Sequence, residues 1–159
     1  MAILLHKYFP LLQEWTLQII ASDISTEAIA RAREGRYSNM EIQRRLRPEL
    51  RDRYFTRIGN EWRIDDEIRL MVDFYQIDLL DRWPILPQMD AILLRNILIY
   101  LNDKQKRSIL KRMRRQLRSD GYLFLGANET IFRMENRFET LRFPGAIAYQ
   151  PVISTSNEQ

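Results

Sequence analysis

Three consecutive segments between residues 89 and 127 narrow the possible folds more than any other feature of the chain. "MDAILL", an apolar run of strand length, is followed by residues 103–117 with apolar side chains at helical spacing, and then by "YLFLGA", a second strand-length run. On the helical segment Ile109, Leu110, Met113 and Leu117 share one face, while Lys104, Lys106, Arg107, Lys111, Arg112, Arg114 and Arg115 take the rest. Near-continuous apolar strands belong to sheets covered on both faces, which is how parallel sheets are built. Strand and helix alternate through most of the remaining chain, which predicts an α/β fold.

The rest of the chain fits that pattern. Residues 2–12 read as a short buried helix ending near Pro10, and residues 17–21 as a strand. A helix follows, capped by Ser25 or Thr26, with Glu27 complementing its dipole and Gly35 closing it. Residues 38–54 are helical with Met40, Ile42, Leu46, Leu50 and Tyr54 as the apolar members, and Pro48 starts a second short helix. Gly59-Asn60 marks a small hairpin, residues 70–80 resume an apolar segment, and "WPILP" is a proline-bounded connection. The basic helix is expected to end at Ser119-Asp120-Gly121, and Pro144-Gly145 to join two terminal strands. The expected fold is a mostly parallel, Rossmann-like sheet with a C-terminal antiparallel hairpin. One domain is expected over residues 1–153, with an inserted subdomain at about 38–66 and a disordered tail at 154–159.

Composition removes several chemistries. The chain has no cysteine and one histidine, His6, so disulfides, thiolate nucleophiles and His-rich metal sites are excluded. No apolar stretch is long enough for a transmembrane helix. A net charge of +4 is compatible with an acidic partner without specifying one. Nucleic acid is not expected, because no aromatic residues interleave with the charges of the basic helix.

In α/β sheets ligands bind at the carboxyl ends of parallel strands. Four polar features fall at such ends: Asp23, Asp78, the pair Arg95 and Asn96, and Asn128-Glu129. Asp23 is placed either to accept hydrogen bonds from ribose hydroxyls or to cap the helix that follows. Asp78, with the backbone N–H of Leu79, offers an acceptor and a donor side by side, as an adenine edge requires; a solvated loop carboxylate is the other reading. Arg95 and Asn96 interrupt an apolar run, and burying them costs roughly 1 to 3 kcal/mol for the amide alone unless partners are found. Either the strand leaves its core there, or the pair is held for a ligand.

The order "ASDISTEAIARAREGRY", "IDLLDRWP", "MDAILLRNILIYLNDKQKRSIL" and "LRSDGYLFLGANE" resembles the CheR-type chemotaxis receptor methyltransferases, from about residue 3 to residue 149. The resemblance implies a Rossmann-like methyltransferase fold that uses S-adenosylmethionine to methylate glutamate side chains on the cytoplasmic helices of receptors, and hence a cytoplasmic protein. It implies that Asp23 binds the ribose, that Asp78 with Leu79 binds the adenine, and that Arg95 and Asn96 line the cofactor pocket. Tyr100 is implied to stand close to the transferred methyl, and Arg95 is a candidate to hold the substrate carboxylate. Family members usually carry Asn where this chain has Asp78, a swap that keeps an acceptor, loses a donor and adds a charge.

Relative to the family pattern, the chain begins after the helical amino-terminal domain, the first strand and the glycine-bearing loop. Without that strand, the strands ending near Asp23 and Arg95 would each present an unpaired edge. The expectation is a rearranged sheet or a homodimer formed by strand exchange. The inserted subdomain docks a receptor peptide in some relatives; its hairpin here is short, and no such docking is expected. The alternative to an enzyme is a non-catalytic module that keeps the fold and has lost full cofactor binding.

Overall fold

A computed structural model provides the three-dimensional structure and describes residues 1–131 and 137–152. The predicted tail at 154–159 lies outside these residues. The chain divides into two compact units, Met1–Asp78 and Leu79–Gln159.

In the first unit, helix α1 (Ala2–Tyr8) and a 3-10 turn (Pro10–Glu14) precede strand β1 (Ile19–Asp23) and helix α2 (Thr26–Glu34). Only Ala2 of α1 is buried, and Leu4, Tyr8, Phe9 and Leu11 are exposed, so the expectation of a buried helix fails on this face. Ser25 caps α2 by accepting from the Ala28 amide at 3.1 Å, and Gly35 ends it in the left-handed region at φ 65°. A side chain at position 35 would also press on Ile64 Cγ2 at 2.6 Å, so glycine is required there twice over.

The inserted segment forms its own three-stranded antiparallel sheet, β2 (Arg36–Ser38), β4 (Glu61–Ile64) and β3 (Phe55–Ile58), in the order β2-β4-β3. Helices α3 (Asn39–Arg45) and α4 (Pro48–Tyr54) stand between β2 and β3, with Pro48 in the first turn of α4 as predicted. Ile42, Leu50 and Tyr54 are buried, but Met40 is exposed. A one-turn helix α5 (Asp66–Arg69) leads to β5 (Val72–Gln76), which pairs with β1 in parallel. His6 ties α1 into the unit, with one ring nitrogen 3.3 Å from Tyr54 Oη and the other 3.0 Å from Glu67.

The second unit holds the strand, helix and strand that the sequence marks most clearly. Strand β6 (Met89–Leu94) and helix α6 (Asp103–Gln116) lead into β7 (Leu117–Leu125), parallel to β6. Strands β8 (Phe138–Phe143) and β9 (Ala146–Pro151) add the antiparallel hairpin, giving the order β6-β7-β9-β8. Ile109, Leu110, Met113 and Leu117 are all buried, with Leu110 and Leu123 at 0% exposure. Each fully buried leucine contributes about 1.5–3 kcal/mol relative to exposure.

The expected break at Ser119-Asp120-Gly121 is not a helix-terminating loop, since β7 starts at Leu117. The segment is instead a register irregularity inside the strand pair, where Met89 faces Leu117 but Ala91 faces Tyr122. Gly121 permits it, because a Cβ there would lie 2.9 Å from the Met89 carbonyl oxygen. Strands β1 and β6 stand in separate sheets, and each has one paired neighbour among the described residues.

Candidate functional site

The apolar run of β6 ends at Leu94, which is 5% exposed, and the chain then leaves the sheet. Arg95 and Asn96 are both exposed. The burial cost anticipated for this pair therefore does not arise in the free chain: the strand leaves its core there. Asn96 turns the backbone at φ 58°, in the left-handed region that asparagine tolerates better than most residues. A 3-10 turn (Leu98–Tyr100) follows, burying Leu98 and leaving Tyr100 80% exposed.

A single carboxylate holds this loop. Glu129 Oε1 accepts from the backbone N–H of Ile97 at 2.8 Å and of Leu98 at 2.7 Å. Its Oε2 accepts from Asn96 at 2.8 Å and from Gly126 at 2.7 Å. Burial pushes the Glu129 carboxyl up, but the four backbone donors outweigh it and hold the group below the usual carboxylate range. Because Leu94 pairs with Leu125, these bonds fasten the loop after β6 to the carboxyl end of β7. Gly126 makes room for it: a Cβ there would fall 2.5 Å from Glu129 Oε2 and 2.8 Å from Asn96 Oδ1.

The second unit thus brings Arg95, Asn96 and Glu129 together at adjoining strand ends, with Tyr100 on the turn that follows. The Arg95 guanidinium has no hydrogen-bond or ion-pair partner among the described residues. Leu79 is held from α6 and from its own loop. Its carbonyl accepts from Trp83 Nε1 at 3.1 Å and from Arg112 Nη1 at 3.3 Å. Arg112 also donates to the Asp81 carbonyl, and its guanidinium lies 5.7 Å from the Trp83 ring centroid. The Leu79 N–H itself donates to nothing among the described residues.

In the first unit, Asp23 is the last residue of β1 rather than part of the following loop. One of its carboxylate oxygens accepts from the Ser25 amide at 2.8 Å, so Asp23 shapes the turn while Ser25 itself caps α2. The other oxygen has no partner among the described residues. Gln76 Nε2 donates to the Ile24 carbonyl at 3.1 Å and pins the same turn. Asp78 lies two residues past the end of β5 and is exposed.

A cavity of about 540 Å³ in the second unit is lined by Trp83, Arg112, Arg115 and neighbours, and takes in none of the six residues nominated from the sequence. Two contributors were not nominated. Glu129 was noted as polar but given no role, since its partners are backbone amides and no complementary side chain signals it. Arg112 is one of seven basic residues around the apolar face of α6, and its carbonyl partners are equally silent in sequence.

The profile of the CheR methyltransferase SAM-binding domain matches residues 1–147. Chemotaxis protein methyltransferase 1 of Pseudomonas aeruginosa is 35% identical over 135 residues, 84% of this chain and 49% of that protein. The chemotaxis protein methyltransferase of Escherichia coli K12 is 37% identical over 130 residues, 79% of this chain and 45% of that protein. The chain thus spans about half the length of the curated relatives it matches. Among solved structures, the N-methyltransferase NodS from Bradyrhizobium japonicum WM9 shares the fold at a TM-score of 0.50 and 16% identity, over 84% of this chain and 74% of that one. A match over nearly all of its length places this chain in the CheR methyltransferase family, as its SAM-binding domain.

Proposed function

We propose that the chain is the S-adenosylmethionine-binding part of a protein-glutamate O-methyltransferase that acts on the cytoplasmic helices of chemotaxis receptors. The observation that carries this reading is the family match, which runs through all six nominated residues. The local geometry supports it, because the polar groups needed for a nucleoside sulfonium stand uncommitted: one Asp23 oxygen, the Leu79 N–H and the Arg95 guanidinium.

When bound, S-adenosylmethionine supplies an electrophilic methyl on a sulfonium. Within this reading Asp23 accepts from ribose hydroxyls, and Asp78 with the Leu79 N–H meets the adenine edge. Arg95 and Asn96 line the pocket, with Arg95 available to the substrate carboxylate and Tyr100 bordering the transferred methyl. The substrate glutamate, with an ordinary pKa of about 4.3, is already ionised at neutral pH, so no side chain has to remove a proton. What the protein contributes is alignment, from groups fixed at strand ends, and exclusion of water.

Receptor helices place this work in the cytoplasm, and among the described residues no helix is long and apolar enough to cross a membrane. Strand exchange between two copies belongs to the same reading, since β1 and β6 each keep an open edge among the described residues. Light scattering that finds only monomer at high concentration overturns that part. The test of activity is transfer of a labelled methyl from S-adenosylmethionine to a glutamate-bearing receptor fragment. The label should be released by mild base as methanol, as an ester requires; a folded chain that leaves no base-labile label contradicts the proposal.

A further inference from the structure

The Glu129 carboxylate has its bonding capacity filled from inside the protein, with two backbone N–H donors on each oxygen. A carboxylate so engaged is unsuited to act as a base or to bind a ligand. What it can do is fix backbone. Three of its donors are the successive amides of Asn96, Ile97 and Leu98, which lie between Arg95 and Tyr100. These amides would otherwise face away from any ladder, because β6 stops at Leu94 and the 3-10 turn begins at Leu98. The left-handed Asn96 and the missing Cβ at Gly126 both serve the same approach of backbone to carboxylate.

We infer that Glu129 is a positioning residue for methyl transfer: it presets the loop from Arg95 to Tyr100 at the carboxyl end of β6, so that this loop meets the amino-acid and methyl end of the bound nucleoside already in place. The inference rests on the proposed function and deepens it. It assigns the loop to one end of the ligand only, and that is what makes it testable.

The experiment uses the 159-residue chain and two probes. S-adenosylhomocysteine carries the nucleoside and the amino-acid end; 5′-methylthioadenosine carries the nucleoside and a methylthio group but lacks the amino-acid end. In Glu129→Gln the side chain keeps its shape, but one oxygen becomes a donor facing two N–H groups. The expected result is S-adenosylhomocysteine binding weakened about tenfold, methylthioadenosine binding changed less than twofold, and faster hydrogen exchange at Asn96, Ile97 and Leu98. Glu129→Asp, which keeps the charge on a shorter arm, should recover part of the loss.

Equal weakening of both probes, or no change in either while the amides exchange faster, overturns the positioning role. If Glu129→Gln does not fold, hydrogen exchange on the unmodified chain decides. The three loop amides must be protected as strongly as the Gly126 amide, and gain further protection with S-adenosylhomocysteine but not with methylthioadenosine. Rapid exchange, or equal gain with both probes, overturns the inference. Failure of the unmodified chain to bind either probe instead overturns the proposed function, together with this role.

Discussion

At the scale of single residues, the site depends on groups that act through backbone. Glu129 is the clearest, and its lowered pKa gives a signed prediction. A carboxyl whose folded pKa is depressed contributes stability that is fully present above its unfolded pKa, about 4.3, and is lost as pH falls through the folded value. Denaturant melts should therefore find Glu129→Gln less stable than the parent at pH 7, with the gap closing as the solution becomes more acid than the ordinary carboxylate range. A gap that persists unchanged at low pH contradicts the four-donor account.

Asn96 gives a second prediction. Asn96→Gly should leave the melting midpoint nearly unchanged, whereas the β-branched Asn96→Val should lose about 1–3 kcal/mol, because it resists a φ of 58°. Arg95 and Asn96 were legible as candidates because they break an apolar run at a strand end, whereas Tyr100 was nominated through the family resemblance. Glu129 was visible in the same way but had no legible role. Hydrogen bonds from a side chain to distant backbone leave no pairing signal in a single sequence.

At the scale of elements, the amphipathic pattern of α6 placed its buried face correctly, and its start follows from a capping box. Asn102 accepts from the Gln105 amide and the Gln105 side chain accepts from the Asn102 amide, each at 3.0 Å. Asn102→Ala should cost about 1 kcal/mol. Leu110→Ala, in the centre of the face, should cost about 2–5 kcal/mol. Both are read from denaturant midpoints.

The start of β7 was not legible, because Ser119-Asp120-Gly121 has turn composition and lies instead in a strand irregularity that only the pairing with β6 reveals. Strand β2 was missed for a related reason: three residues, Arg36–Ser38, are too few to alternate, and pairing with β4 is what makes them a strand. For Arg112, truncation to alanine should speed amide exchange in the Leu79 to Trp83 loop, because it removes donors to two carbonyls. Arg112→Lys should not fully restore it, since a single ammonium lacks the planar fork. Unchanged exchange in both variants contradicts the clamp.

At the scale of the whole molecule, the α/β class and the terminal antiparallel hairpin were readable from alternation and turn residues. The strand pairing was readable only in part. A rearranged sheet or strand exchange was expected to cover the edges left at β1 and β6; among the described residues each of these strands has one partner, and the two lie in separate sheets. The division between Asp78 and Leu79 has no composition shift to announce it. It falls between the two neighbours nominated for the adenine edge.

Calorimetric titration of S-adenosylhomocysteine into the 159-residue chain is accordingly the most direct test of the central claim. The account predicts saturable one-to-one binding with a dissociation constant below about 1 mM, which is tighter than about −4 kcal/mol. It also predicts that Asp23→Ala and Arg95→Ala each weaken it. A flat titration at that concentration, from a chain that melts cooperatively, would contradict the assignment of this chain as a competent S-adenosylmethionine-binding domain.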